Sequence, residues 1–130
     1  MPDDSKPTTE LCRLTVEGPV ANLTLGRTEV HNALNNQLIS EIGAVLDWTS
    51  RSSVGATGEL RSSEGSDNLR VLVIRSEGKH FCAGADINMM RDAGSKTPDE
   101  NRADSELLDG LFYGLWSHPC FTIACVQGVA

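Results

Sequence analysis

Two predominantly apolar runs place the strongest constraint on the fold of this chain. Residues 69–75 read LRVLVIR and residues 121–126 read FTIACV. Such runs are typical of strands that are covered on both faces in a parallel sheet. Because helical sequence lies between them, strand, turn, helices and strand form a right-handed βαβ crossover, with both runs parallel in one sheet. The sequence therefore predicts an α/β fold.

The sequence between the two runs contains clear helix signals. Residues 86–92 can start a helix, which Gly94 and Ser95 break. Thr97, Pro98 and Glu100 have the spacing of a capping box with proline at the first helical position. An apolar stripe then runs up to the His118–Pro119 pair and comprises Leu107, Leu108, Leu111, Phe112, Leu115 and Trp116.

The first half of the chain predicts a tail, a hairpin, a helix and an insertion. Residues 1–10 resemble a disordered tail, and residues 11–16 and 20–25 are β-prone runs separated by a turn at 17–19. Leu34, Leu38, Ile42, Val45 and Leu46 then recur at helical spacing through Trp48. Residues 49–68 are rich in Ser and Gly without periodicity, which indicates a disordered insertion or surface loop in a domain that spans 11–130.

Charge and cysteine content exclude several classes of protein. A formal net charge of −7 argues against nucleic-acid binding, since that requires clustered Lys and Arg. The four cysteines show no zinc-ligand spacing, so we expect no metal and reduced thiols. The start, MPDDSKPTTE, has the pattern of neither a signal peptide nor a transit peptide, and no apolar stretch approaches the roughly 20 residues of a membrane span. We expect a cytoplasmic protein, or one of the mitochondrial matrix if the source is eukaryotic.

The segment 80–87, HFCAGADI, is the strongest candidate site. Ligands of open α/β sheets collect at the carboxyl ends of the strands, and this turn follows the first apolar run. Gly84 and Ala85 at a helix start leave unpaired backbone N–H groups that could donate to a developing negative oxygen. The alternative is that Asp86 caps the helix and the small residues only ease a tight turn. No phosphate-loop motif is present.

Four stretches, taken in order, resemble one known family. They are VHNALNNQLISEI, LRVLVIRSEGKHFCAGADI, a helix ending in SHPCFTIA, and CVQGVA. Together they are similar to the N-terminal half of the enoyl-CoA hydratase/isomerase (crotonase) family, over residues 11–130 apart from the insertion. The resemblance implies a crotonase-like ββα spiral, of which this chain is the N-terminal half only.

The resemblance also implies a site. In the family, the N–H of the residue matching Ala85 is one of two donors to the thioester oxygen, and the adjoining backbone contacts coenzyme A. We therefore expect the substrate to be an acyl-CoA thioester, with coenzyme A as part of the substrate and no permanently bound cofactor. The coenzyme A contacts would come from Ala83, Gly84, Ala85, Asp86 and Ile87.

Other family features are not matched by residues of this sequence. The second donor and the catalytic glutamates follow the VxGxA strand end in the family, past residue 130. Glu41, Asp86 and Asp109 match none of the catalytic positions. Asn88 stands where many relatives carry a lysine that meets the coenzyme phosphates, and the candidate substitutes are Arg27, His31, Lys79 and Arg91.

The resemblance favours a hydratase that adds water across the α,β double bond. GKHFCAGADINMMR, ENRADSELLDGL and IACVQGVA look most similar to the methylglutaconyl-CoA hydratase branch, with short-chain enoyl-CoA hydratase close behind. Enoyl-CoA isomerase is an alternative, and so is a non-catalytic fragment that retains coenzyme A affinity. In that case residues 121–126 would expose apolar surface. RNA binding is a weaker third hypothesis. A full-length form is expected to be a homotrimer or hexamer.

Overall fold

A four-stranded mixed sheet forms the centre of the computed structural model, which describes residues 5–53 and 68–130. Its strands are β1 (Cys12–Glu17), β2 (Val20–Leu25), β3 (Val71–Ser76) and β4 (Phe121–Ala124), in the order β1-β2-β3-β4. The β1–β2 pair is antiparallel, which confirms the predicted hairpin. The β2–β3 and β3–β4 pairs are parallel, and the second of these confirms the predicted pairing of the two apolar runs.

Helices connect the parallel strands. A short 3-10 turn (Thr28–Val30) and α1 (Asn36–Arg51) follow β2, whereas α2 (Ile87–Ala93) and α3 (Pro98–Trp116) lie between β3 and β4. Thr97 and Glu100 form the predicted capping box of α3. Asn35 caps α1 by accepting a hydrogen bond from the N–H of Leu38 at 2.9 Å.

Two expectations about the first half of the chain change in detail. Leu34, assigned by its spacing to the apolar face of the helix, precedes the cap and pairs with Ala85 in an isolated parallel bridge. The helix also continues to Arg51 and so takes in the first residues of the expected insertion, of which residues 54–67 lie outside the described part. Of the expected tail, residues 1–4 are likewise outside it, while the N–H of Glu10 donates to Glu41 at 2.8 Å.

The core lies between α1 and one face of the sheet. Leu23 and Leu72 from the sheet and Leu38, Ile39 and Val45 from α1 are fully or almost fully buried. Each such side chain contributes about 1.5–3 kcal/mol through removal of its apolar surface from water. The helix α3 packs beside α1, where the space next to Gly114 is filled by the Leu46 side chain.

The last strand departs from the sequence prediction of a strand covered on both faces. All four residues of β4 are exposed, and Phe121 is 72% exposed. On α3, Leu111 is buried and Leu108 and Leu115 are partly buried against the core, whereas Leu107, Phe112 and Trp116 are exposed, so half of the apolar stripe has no cover. Pairing with β3 at the edge of the described sheet covers neither face of β4, and little of the described chain packs on those faces. Of residues 121–126, Phe121, Ile123 and Val126 are exposed apolar side chains.

The connection between α3 and β4 is held by a neutral histidine. His118 Nδ1 accepts a hydrogen bond from the N–H of Cys120 at 3.1 Å, and its Nε2 lies 2.9 Å from the Thr49 hydroxyl oxygen. That hydroxyl donates to the Val45 carbonyl at 2.8 Å, so it can accept the Nε2 proton. Burial lowers the pKa of His118, and a hydrogen bond with the Leu46 backbone partly opposes this effect. The arrangement requires the neutral ring.

This geometry predicts that acid destabilises the fold through His118. The folded-state pKa of His118 is lowered from 6.5, so the unfolded chain binds the proton more tightly. The contribution of His118 to the free energy of unfolding is therefore complete above pH 6.5 and is lost as the pH falls through the folded-state pKa. We expect urea denaturation between pH 7.5 and 5.5 to show this loss, and His118→Gln to have a flatter profile. Identical pH profiles for the two proteins would contradict this assignment.

Candidate active site in the turn after β3

The turn at residues 83–86 presents two backbone N–H groups, those of Gly84 and Ala85, that donate to no acceptor among the described residues. Leu34 donates its N–H to the Gly84 carbonyl at 2.7 Å, and Asp86 donates its N–H to the Leu34 carbonyl at 2.8 Å. In a parallel bridge the central residue turns its own N–H away from the partner strand. The N–H of Ala85 thus points away from Leu34, and within the described part of the chain it donates to no acceptor.

The neighbouring residues of the turn have different roles. Ala83 donates its N–H to the His31 carbonyl at 3.0 Å and cannot also donate to a ligand. Gly84 has φ +89, a conformation that residues with a Cβ rarely adopt, and the space where a Cβ would stand holds no protein atom within 4 Å. The least bulky residues therefore leave open space directly beside the free N–H of Ala85.

A cleft of about 440 Å³ lies over this turn. Most of the site residues expected from the sequence come together in it, and the residues that line it are Val30, His31, Ala33, Ala83, Ala85, Asp86, Ile87 and Asn88. The side chain of Ile87 is 73% exposed and gives the cleft an apolar wall. A cleft of about 490 Å³ between α1 and α3 is slightly larger, but it contains none of the expected site residues.

Asp86 has both carboxylate oxygens occupied within the protein. One oxygen accepts hydrogen bonds from the N–H groups of Asn88 at 2.7 Å and Met89 at 3.1 Å, so the capping alternative is correct for this side chain. The other oxygen lies 2.7 Å from the Arg27 guanidinium. The hydrogen bond from Arg27, with those from Met89 and Asn88, holds the pKa of Asp86 below its usual value. Asp86 therefore shapes the turn as an ionised, internally satisfied group.

Asn32 positions the loops around the cleft, a role that the sequence did not reveal. It is fully buried, its Oδ1 accepts from the N–H of Arg27 at 2.8 Å, and its Nδ2 donates to the carbonyls of Glu77 at 2.9 Å and His80 at 3.0 Å. It has φ +60, and His31 before it has φ 54. Asn and His are among the residues that tolerate this region best, and the HNAL segment contains both. The His31–Asn32 pair was therefore the feature of the sequence that could have indicated a left-handed backbone at this point.

Residues 127–129 lie against residues 80–82, which lead into the turn. The Val129 carbonyl accepts from the N–H groups of Phe81 at 3.0 Å and Cys82 at 3.1 Å, and the Val129 N–H donates to His80 Nδ1 at 3.0 Å. Gly128 between them has φ +59, and a Cβ there would collide with the carbonyl oxygen of Lys79. The backbone at residue 129 thus runs beside the approach to Ala85.

Gly128→Ala is expected to release this pairing. A left-handed conformation costs a residue with a Cβ about 1–2 kcal/mol, and the collision adds to that cost. We expect the Phe81 and Cys82 amides to exchange with solvent at least about tenfold faster, measured by hydrogen-exchange NMR. Gly18→Ala is the matched control, because Gly18 has φ +57 but a Cβ there would meet nothing within 4 Å. Unchanged exchange in the Gly128 variant would show that the pairing does not depend on Gly128.

Only one of the four candidate anion contacts lines the cleft over the turn. Arg27 is paired with Asp86, and neither Lys79 nor Arg91 lines the 440 Å³ cleft. His31 does line it, with its ring edge-on to the ring of His80 at a centroid distance of 4.8 Å. His31 is therefore the one of the four candidates that the fold brings to this cleft.

The three carboxylates considered from the sequence do not supply a free acid or base in the cleft. Partial burial raises the pKa of Glu41, but the hydrogen bonds from Gln37 and from the backbone of Leu11 and Glu10 together hold it below the usual value. Asp109 is exposed on α3. Among residues 5–53 and 68–130, no group of His, Cys, Asp and Glu could hold a metal ion, and no helix is long and apolar enough to cross a membrane.

Comparison with known proteins shows which protein family has this fold and this turn. Residues 15–130 match the family model described as Enoyl-CoA hydratase/isomerase. The chain therefore belongs to the enoyl-CoA hydratase/isomerase family, and its α/β fold is the N-terminal part of the crotonase fold, as the sequence predicted.

Individual relatives agree with this assignment. The 1,2-epoxyphenylacetyl-CoA isomerase of Escherichia coli is 28% identical over 116 residues, which are 88% of this chain and 39% of that protein. A solved enoyl-CoA hydratase from Shewanella pealeana is 33% identical with a TM-score of 0.77, covering 92% of this chain and 40% of that one. Pseudomonas aeruginosa AtuE is 28% identical with a TM-score of 0.74 over 92% of this chain. The chain spans about two fifths of the length of each of these three relatives.

Proposed function

We propose that this chain binds an acyl-CoA thioester with the carbonyl oxygen on the N–H of Ala85. In a protein that carries the rest of the family fold, this contact would serve hydration of an α,β-unsaturated acyl group. The single observation that carries the proposal is the unpartnered N–H of Ala85 at the wall of an open cleft. Its support is membership of a family whose relatives act on coenzyme A thioesters.

The chemistry asks for a donor of this kind. Addition of water at the β-carbon moves electrons toward the thioester oxygen, which becomes enolate-like. A fixed N–H stabilises that charge without having to reorganise during the reaction, and one such donor is worth about 3–4 kcal/mol. The Ala85 N–H is fixed because the residues on both sides of it are hydrogen-bonded to Leu34.

The acyl part of the substrate has an apolar surface to contact in this cleft. Ile87, Val30 and the alanines supply that surface, and His31 supplies a polar group at the same wall. We propose a branched unsaturated acyl group of the methylglutaconyl type, on the sequence similarity of segments 78–91, 100–111 and 123–130. Coenzyme A enters as part of the substrate, along the backbone from Ala83 to Ile87. The full-length form would be a homotrimer or hexamer.

Isomerisation is the second candidate, and one observation favours it. The family model that residues 15–130 match is described as Enoyl-CoA hydratase/isomerase, and the E. coli relative that is 28% identical is named as an isomerase of an epoxide-bearing acyl-CoA. Both reactions form a negative thioester oxygen, so both use the Ala85 N–H equally. They differ in which groups move the proton.

Two substrates separate these reactions. We expect a protein that contains this segment within the complete fold to hydrate a 2-enoyl-CoA, seen as loss of the enoyl absorbance and gain of one water by mass. Migration of the double bond in a 3-enoyl-CoA, without hydration of the 2-enoyl-CoA, would favour the isomerase. Saturable binding of a saturated acyl-CoA with neither reaction would indicate a thioester-binding protein. Absence of binding would refute the proposal.

A further inference from the structure

Arg27 holds both sides of the bridge from which the Ala85 N–H projects. One guanidinium nitrogen, Nη1, donates to the Ala33 carbonyl at 2.8 Å and lies 2.7 Å from the Asp86 carboxylate. Ala33 directly precedes Leu34, and Asp86 directly follows Ala85, while Leu34 and Ala85 are the bridge pair. A single nitrogen therefore ties together the two backbone segments that set the direction of this N–H.

The pair is buried enough to act as a fixed element. The Arg27 side chain is 14% exposed and the Asp86 side chain 6% exposed. Burial at this level limits competition from water, and a charge-assisted hydrogen bond is stronger and more directional than a neutral one. The backbone of Arg27 is itself fixed, because its N–H donates to Asn32 Oδ1 and its carbonyl accepts from the Asn32 N–H at 2.8 Å.

We propose that Arg27, through its pair with Asp86, is the positioning residue that aims the Ala85 N–H at the thioester oxygen. This inference rests on the proposed function. In this role Arg27 acts on the backbone of the turn and does not contact the ligand. As a candidate phosphate contact, Arg27 would turn its remaining guanidinium N–H groups to the ligand, whereas as a positioning residue it needs only the Nη1 contacts with Ala33 and Asp86. The cleft that contains Ala85 is lined by Asp86 but not by Arg27, which fits the second role.

The test uses the 130-residue chain and butyryl-CoA labelled with 13C at the thioester carbonyl. Butyryl-CoA is saturated, so it binds without reacting, and its carbonyl resonance moves downfield when its oxygen accepts a hydrogen bond. For the native chain we expect saturable binding and a downfield carbonyl shift. For Arg27→Met we expect at least half of that shift to be lost at saturation, with a smaller loss for Arg27→Lys, because lysine can reach Asp86 with a single donor.

Two further variants keep the test decisive. Asp86→Asn still offers an oxygen to the N–H groups of Asn88 and Met89, so it caps α2 while the contact with Arg27 is lost. It should show the same loss of carbonyl shift that is expected for Arg27→Met, and it replaces that variant if Arg27→Met does not fold. Lys96→Met is the matched control, since it removes a 2.6 Å ion pair with Asp104 of intermediate exposure. It should retain the native carbonyl shift.

The outcomes of this test are distinguishable. A native carbonyl shift at saturation in Arg27→Met and Asp86→Asn, both folded by circular dichroism, would overturn the positioning role and leave the proposed function standing. Lower affinity with a native carbonyl shift in the bound fraction would show that the two variants loosen the fold without changing the direction of the Ala85 N–H. Failure of the native chain to bind butyryl-CoA would overturn the proposed function and this inference with it.

Discussion

Asn32→Ala is expected to lower the free energy of unfolding by about 3 kcal/mol. The substitution leaves the Arg27 N–H and the carbonyls of Glu77 and His80 without the partner that the buried amide gave them. Each buried polar group that loses its partner costs about 1–3 kcal/mol, although water can enter part of the space. Urea denaturation measures the change, and the loop around the cleft should lose protection from hydrogen exchange first.

Two comparisons separate the causes of this effect. Asn32→Gly removes the same hydrogen bonds but relieves the left-handed backbone, so it should be more stable than Asn32→Ala by about 1 kcal/mol. Asn22→Ala is the control for loss of an asparagine, because within residues 5–53 and 68–130 the Asn22 side chain only accepts a hydrogen bond from exposed Arg75 at 3.3 Å. It should change stability by no more than about 0.5 kcal/mol. An Asn32→Ala variant as stable as Asn22→Ala would show that the Asn32 hydrogen bonds do not hold the loops around the cleft in place.

Ala85→Pro is expected to reduce turnover by about 10²–10³-fold in a protein with the complete fold, while acyl-CoA binding is partly retained. Proline has no N–H, so the thioester oxygen loses this donor at the moment when it becomes negative. The bridge to Leu34 uses the Gly84 carbonyl and the Asp86 N–H rather than the Ala85 N–H, so the substitution removes no internal hydrogen bond. Loss of kcat with a smaller change in KM is the measured signature.

Ala85→Gly is the matched control, because it keeps the N–H and removes only the methyl group. It should retain most of the activity. Proline also restricts the residue before it, and Gly84 has φ +89, so a misfolded proline variant would be uninformative. Replacing the Ala85 amide by an ester through semisynthesis removes the N–H without this restriction. Full activity in the ester variant would show that Ala85 does not donate to the substrate.

The sheet could be predicted from the sequence because its signals are local. The runs at 69–75 and 121–126 and the turn at 17–19 each determine one element, and the capping box at Thr97 determines the start of α3. The sequence also located the turn from Ala83 to Asp86, since a glycine between alanines before a helix cap is a local pattern. The match of residues 15–130 to the family agrees with these signals.

The remaining features depend on long-range contacts that no local pattern contains. Asn32 reaches Glu77 and His80, which are more than forty positions away in sequence. The charge of Arg27 made it a candidate contact for the coenzyme phosphates, and only the fold shows that it forms an ion pair with Asp86. The exposure of β4 and of Trp116 could not be predicted either, because the burial of a side chain depends on which elements pack on it and not on the composition of its own segment.

A crystal structure of the chain with butyryl-CoA tests the central claim most directly. The account predicts that the acyl group lies in the cleft lined by His31, Ala85 and Ile87, with the thioester oxygen about 2.9 Å from the Ala85 nitrogen. A thioester oxygen beyond hydrogen-bond distance from that nitrogen, or an acyl group seated instead in the cleft between α1 and α3, would contradict it.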